Sequence, residues 1–213
     1  MYREIGIYGG TFSPPHTGHV RAATEFFHQL RLERLYIIPT AIAPHKRIDM
    51  SDNPSERLMM LHLTFEDNPD YNKRIFISDY EITQSGISYT AKTLEHFSKL
   101  FKMEDGFRIT VLCGTDMFLT LAEWYKPELI FKLSRIAYIR REAQISKDTD
   151  RRISERTDYY KDVYNADIVA LAGDPMEICS TDIRRMLAAG KPVESFINTG
   201  VQEYITKNGL YTV

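Results

Sequence analysis

Gly9-Gly10-Thr11-Phe12-Ser13-Pro14-Pro15-His16-Thr17-Gly18-His19 is the stretch whose reading decides the fold. The apolar run before it, Ile5-Gly6-Ile7-Tyr8, reads as a short buried strand. Behind it Val20, Ala23, Phe27 and Leu30 recur at helical spacing. The order is strand, glycine- and proline-rich turn, helix. Such an order aims the free N–H groups of the helix, and its positive dipole end, at the turn. A phosphate is the natural occupant there, and Gly9 and Gly10 are expected to let the backbone bend tightly and approach it.

The loop matches neither G-x-G-x-x-G nor a phosphate loop ending in Gly-Lys-Ser/Thr. Instead His16 and His19 flank Thr17 and Gly18. Imidazoles at a helix start donate hydrogen bonds to phosphate oxygens. His-x-x-His is also metal-ligand spacing, but the loop holds no Cys and no carboxylate, which favours phosphate.

Composition bounds the rest. A chain of 213 residues, 43% hydrophobic and 26% charged, fits one globular α/β domain over residues 1–213. No apolar run is long enough to span a bilayer, and the N-terminus carries no signal-peptide pattern, so a cytoplasmic enzyme without a membrane partner is expected. At a formal net charge of −2, no global field draws nucleic acid, so any phosphate site must be basic locally. Cys113 and Cys179 stand in apolar, strand-like contexts and are expected as buried free thiols.

Along the chain, Leu35-Tyr36-Ile37-Ile38 reads as a second strand. The loop after it carries Ala43-Pro44-His45-Lys46-Arg47, where open α/β sheets bind ligands. Asn53-Pro54 starts a helix as N-cap and first-turn proline, with Ser55 to Leu58 as its amphipathic first turns. Ile75-Phe76-Ile77 is a short strand. Ser88 and Thr90 are N-cap candidates around Tyr89, ahead of a helix through Leu94, Phe97 and Leu100. Ile109 to Cys113 is the clearest central strand. It runs into Gly114-Thr115-Asp116, whose carboxylate suits two ribose hydroxyls as well as a helix cap. Trp124-Tyr125 offers either core filling or a stacking platform.

Ile136 to Ile139 is another strand, ending in Arg140-Arg141. Residues at about 143–166 are polar and charge-rich, and read as a solvent-facing helical excursion. Ile168 to Leu171 resumes the sheet. Ser180 is an N-cap candidate for a helix that places Arg184 one turn on, so hydroxyl, N–H groups and guanidinium converge on an anion. Val193–Ile197 and Val201–Ile205 read as a short helix pair in a small C-terminal helical subregion at about 190–213.

These motifs carry a resemblance. Gly9 to His19, with the box His16-Thr17-Gly18-His19, resembles the signature of the nucleotidylyltransferase superfamily, with Ser13 where that family usually has Asp. Ser180-Thr181-Asp182-Ile183-Arg184 resembles its second signature, Ser-Thr-x-Ile-Arg. The Pro44-His45-Lys46 segment, Ser88-Tyr89-Thr90, Trp124-Tyr125 and Asn208-Gly209-Leu210-Tyr211 are similar to bacterial nicotinate-nucleotide adenylyltransferases. The resemblance implies a Rossmann-like, doubly wound and mainly parallel α/β sheet with helices on both faces.

It further implies adenylyl transfer from ATP to nicotinate mononucleotide, giving deamido-NAD and pyrophosphate. His16, His19, Lys46 and Arg184 would be catalytic. Gly9, Gly10, Thr11, Phe12, Gly18, Gly114, Asp116, Ser180 and Thr181 would bind ATP. Ser88, Tyr89, Thr90, Trp124, Tyr125 and Arg140 would bind the mononucleotide. Mg²⁺ would be held by ATP phosphates and water with no protein ligand set. A phosphopantetheine adenylyltransferase, or a silent nucleotide-binding module on the same scaffold, is the competing reading; a homo-oligomer is left open.

Overall fold

The computed structural model describes residues 2–44, 53–84, 86–140, 146–173 and 178–212. Its strands are β1 (Arg3–Gly10), β2 (Arg34–Pro39), β3 (Ile75–Ile77), β4 (Phe107–Gly114), β5 (Arg135–Ile139) and β6 (Ile168–Leu171). The helices are α1 (Thr17–Gln29), α2 (Pro54–Phe65), α3 (Tyr80–Thr83), α4 (Thr90–Leu100), α5 (Thr115–Thr120), α6 (Pro127–Leu133), α7 (Lys147–Tyr164), α8 (Ser180–Ala188) and α9 (Thr199–Lys207). The strands form one parallel sheet in the order β3-β2-β1-β4-β5-β6. From β1 the chain winds outward through β2 to β3, and from β4 it winds the other way through β5 to β6. The crevice beyond the C-terminal ends of β1 and β4 is therefore the switch point where such sheets bind ligands.

Period-two patterning explains why helices cover both faces. Ile5, Ile7, Ile109, Val111, Cys113, Ile136 and Tyr138 enter one core cluster, under α4 to α7. Tyr8, Leu35, Ile37, Leu112, Ala137 and Ile139 enter the other, with Ala23, Phe26 and Phe27 of α1. Gly6 sits on the α1 face. A Cβ there would stand 2.4 Å from Leu32 Cδ1 and 2.8 Å from Phe26 Cε1, so glycine lets this layer close onto β1. A third cluster joins Met60 of α2 to Ile183, Val193, Ile197, Val201 and Ile205, binding α8 and α9 to the body.

Asn53 accepts from Ser55 N–H as the N-cap of α2, with Pro54 in the first turn, as the sequence predicts. Three local expectations differ. Gly9 and Gly10 belong to β1, paired with Ile38 and Pro39, so the turn begins two residues later than expected, at Thr11. Only the second half of the expected C-terminal helix pair is helical; Val193 and Ile197 are buried in turns. Cys113 is buried, but Cys179 is exposed and precedes a helix, where its Sγ–H donates to Asp182.

The polar stretch after β5 folds into α7, with residues 141–145 outside the described residues. Ile153 and Tyr160 are buried beneath it, so one face of α7 covers the sheet while its charges face solvent. Tyr160 donates its hydroxyl to the Phe118 carbonyl at 2.7 Å. Tyr160→Phe removes one of the two donors to that carbonyl, which keeps the Leu121 N–H, and is expected to cost about 0.5–1.5 kcal/mol of stability, read from the urea midpoint at constant slope. A midpoint equal to wild type would show that α7 is not anchored there.

Candidate active site

The turn after β1 is built by its two histidines. His16 is the N-cap of α1, and its Nδ1 accepts the Gly18 N–H at 3.2 Å. His19, three residues on, accepts the His16 N–H on its own Nδ1 at 3.2 Å. The two imidazoles thus make a reciprocal capping box, with ring centroids 3.7 Å apart. Because each Nδ1 accepts a backbone hydrogen bond, the proton of each neutral ring lies on Nε2. Both side chains are nearly buried and line a cleft with Gly18, Arg21, Glu25, Ile139, Arg140 and Ile178.

This arrangement changes the expected role of α1. Its first N–H groups are already engaged: Thr17 donates to the Phe196 carbonyl, Gly18 to His16 Nδ1 and His19 to the His16 carbonyl. The start of α1 therefore brings two imidazoles and the dipole end to the turn, rather than bare helix amides. Phe12 is also placed differently from expectation. It holds a left-handed φ of 53° with its ring buried between Tyr8 and His19, at 5.4 and 4.9 Å. Packing holds this disfavoured backbone. A Cβ on Gly10 would stand 2.8 Å from that ring, whereas one on Gly9 would meet nothing within 4 Å, which leaves room above the strand end.

The far end of the chain closes onto the same turn. Arg184 Nη1 donates to the Ser13 carbonyl at 2.6 Å and Nη2 to Thr181 Oγ1 at 3.2 Å. Ser180 is the first residue of α8 and not its cap, a place taken by Cys179. Its hydroxyl reaches Pro14 instead, donating to that carbonyl at 2.9 Å. The N–H groups of Ser180 and Thr181 take no partner among the described residues, so α8 keeps the amide donors that α1 has committed. Ser13 is buried, and its Oγ lies 3.2 Å from the hydroxyl of Tyr211. The position where the family usually carries Asp is thus tied to the C-terminal segment.

Arg57 is the site residue that sequence reasoning missed. Read as part of an amphipathic first turn, it is 2% exposed. Its guanidinium donates to the carbonyls of Thr11 at 2.8 Å, Thr40 at 2.7 Å and Ala41 at 3.1 Å. One planar fork thereby joins the loop after β1 to the loop after β2. The available signal was an Arg on the face shared by Leu61 and Phe65, where helical spacing asks for an apolar residue.

A second cluster gathers at the start of α4. The N-cap is Tyr89 and no side chain caps the helix; Ser88 is used elsewhere, accepting from Ala41 N–H at 2.9 Å and donating its own N–H to the Ile42 carbonyl. Tyr89 and Tyr125 pack with centroids 4.4 Å apart and ring planes tilted by 35°. Lys92 and Lys126 lie over these two rings and make the patch locally basic. Trp124 is half-buried against the core, and Thr90 opens the helix beside Tyr89.

Asp116 stands exposed in the first turn of α5, one residue past Thr115 and beyond the β4 end at Gly114. Arg140 is placed with the histidine cleft and pairs with Asp150 at 2.6 Å, so it does not join the tyrosine cluster as expected. Lys46, with His45 and Arg47, lies outside the described residues. Among the described residues no three His, Cys, Asp or Glu side chains gather to hold a metal ion. None of the helices described is long and apolar enough to cross a membrane.

A profile of the cytidylyltransferase-like family matches residues 7–186. This chain belongs to that family. Curated relatives named probable nicotinate-nucleotide adenylyltransferase include one from Desulfitobacterium hafniense, 32% identical over 99% of this chain and 97% of its own. Another, from Caldicellulosiruptor bescii, is 30% identical over 98% of each chain. In fold, the chain is similar to the nicotinic acid mononucleotide adenylyltransferase of Plasmodium falciparum complexed with NaAD, with a TM-score of 0.76 at 17% identity, covering 99% of this chain and 98% of that one.

Arg57→Lys keeps the charge but cannot reach three carbonyls in two loops. We expect a loss of about 2 kcal/mol in stability, since hydrogen bonds to charged groups are worth about 1.5–3 kcal/mol each. Chemical denaturation of the purified variant measures it; wild-type stability would mean that the fork is dispensable.

Proposed function

We propose that this protein transfers the adenylyl group of ATP to nicotinate mononucleotide, forming deamido-NAD and releasing pyrophosphate. The observation that carries the reading is the meeting of the two signatures. The Nε2-protonated histidine pair and the Arg184 guanidinium share one turn, although Arg184 and Ser13 are 171 positions apart in sequence. Such a site binds a polyphosphate and holds donors where negative charge builds on a leaving group. The full-length relatives support the choice of reaction.

In this reaction a phosphate oxygen of the mononucleotide attacks the α-phosphorus of ATP, and the bond to the β-phosphate bridging oxygen breaks. The attacking phosphate is already largely dianionic near neutrality, so no general base is required. The protein's part is alignment and charge stabilisation. His16 and His19 donate from Nε2 to phosphate oxygens. Arg184 and the amides of Ser180 and Thr181 hold the pyrophosphate end, and Lys46 adds a point charge. Gly9, Gly10, Thr11 and Gly18 line the phosphate path, and Asp116 at the β4 end accepts from the ribose hydroxyls. Mg²⁺ would be held by the triphosphate oxygens and water, and would supply neutralisation of their charge.

The mononucleotide's ring binds at Ser88, Tyr89, Thr90, Trp124 and Tyr125. The N–H groups of Tyr89 and Thr90 take no partner among the described residues, and Lys92 and Lys126 add positive potential. N–H donors and cations welcome a carboxylate, whereas an amide would turn its NH₂ toward donors. We expect kcat/KM for nicotinate mononucleotide to exceed that for nicotinamide mononucleotide by on the order of 100-fold or more in a pyrophosphate-release assay. Equal values would remove the assignment of this ring site.

His19→Asn separates chemistry from folding. Its Oδ1 replaces Nδ1 as acceptor for the His16 N–H, while nothing replaces Nε2–H. The expected result is a kcat lower by on the order of 100-fold with little change in thermal midpoint. A raised KM for ATP at normal kcat would instead make His19 a ground-state binding residue.

A further inference from the structure

Glu81 lies in α3, behind the start of α4, and is 8% exposed. It is one of the few carboxyl groups buried in the described body, and no step of the adenylyl transfer uses it. Thr93 Oγ1, on the inner face of α4, donates to Oε1 at 2.6 Å. Ser88 is the other hydroxyl that acts on the carboxyl, although Oε2 meets no partner at full hydrogen-bond geometry among the described residues. Burial pushes the Glu81 carboxyl above the ordinary carboxylate range, against the opposing pull of Thr93 and then Ser88.

The two hydroxyls bracket the segment that matters. Ser88 accepts from Ala41 N–H and donates its own N–H to Ile42, which pins the loop after β2 against the loop before α4. Thr93 is 2% exposed and sits one turn into α4, bonded also to the Tyr89 carbonyl at 3.4 Å. Between them stand Tyr89 and Thr90, whose amides face the pyridine carboxylate in the reading above. An unsatisfied buried carboxyl oxygen is costly, so its retention at this position asks for a reason other than stability.

We propose that Glu81 is a positioning residue for the mononucleotide end of the site. Bonded to Thr93 and facing Ser88, it sets the angle at which the start of α4 presents the Tyr89 and Thr90 amides. This inference rests on the assignment of the ring site under Proposed function. Its effect falls mainly on one substrate, because the histidine turn and Arg184 have their own bonds to Ser13, Pro14 and Phe196 and reach the start of α4 only through Arg57, Ala41 and Ser88.

The test is steady-state kinetics on Glu81→Ala, Glu81→Gln and Thr93→Val, with both substrates varied and the thermal midpoint recorded for each. Misplacing a recognition segment costs on the order of 10-fold or more, so Glu81→Ala and Thr93→Val are expected to raise KM for nicotinate mononucleotide by at least about that factor. KM for ATP should stay within about threefold of wild type. Glu81→Gln keeps an oxygen for Thr93 and is expected to recover most of the loss. A purely structural role predicts a lower midpoint with both KM values unchanged or moved together, and that result overturns the proposal. So does wild-type KM for the mononucleotide in Thr93→Val, which keeps side-chain volume and answers the question if Glu81→Ala does not fold. Wild-type enzyme that adenylates nicotinate and nicotinamide mononucleotides equally well counts against the ring-site assignment itself; normal selectivity with indifferent variants counts against Glu81 alone.

Discussion

Two backbone N–H groups donating into imidazole Nδ1 atoms govern the chemistry of the turn after β1. Each bond fixes a ring's tautomer and its plane, so the opposite nitrogen is left as a donor of known direction. The same bonds remove the helix amides from competition for a ligand. In the proposed reaction, phosphate recognition passes from α1's backbone to its side chains, while α8 supplies amides from across the site. Side-chain donors held at fixed angles can be aimed at a departing group.

Rigidity comes from carbonyl oxygens captured by guanidinium groups. Arg57 takes three of them from two loops, and Arg184 takes that of Ser13. A buried guanidinium has five donors and no acceptor, so it is best placed where several carbonyls end without partners. Strand ends at a switch point present that situation, because β1 and β2 stop while their loops turn away. The cations also answer the electrostatic problem posed by a chain of net charge −2. Arg57 and Arg184 place positive charge beyond the C-terminal ends of β1 and β2. At their opposite ends, Glu4 is buried among Arg108, Thr110 and Arg135, so charge there is matched internally.

The two substrate ends are linked mechanically. From Thr11 the path runs through Arg57 to Thr40 and Ala41, and from Ala41 through Ser88 to the start of α4. Every link is a hydrogen bond between a side chain and the backbone, so loop geometry is set by groups that need not touch either substrate. This is the arrangement expected where in-line transfer demands that two ligands meet within a narrow range of distance and angle.

Much of this was legible in the residue string. Short continuous apolar runs identified all six strands described, since a buried parallel strand is apolar on both faces. The histidine box and Ser180 to Arg184 were legible as motifs that belong together, and the structure brings both to one turn. What the string could not carry was which donors are already engaged. Ser180 reads as a cap by composition, yet it reaches Pro14, 166 positions away. Arg57 reads as a solvated first-turn residue, yet tertiary packing buries it among carbonyls 16 to 46 positions distant. Arg140 reads as part of the ring site, yet it lines the cleft beside the histidines and pairs with Asp150. Periodicity and capping are local, fixed by φ, ψ and neighbours within a turn. Partners of polar groups at loop ends are set by where separate chain segments cross, and only the assembled sheet decides that.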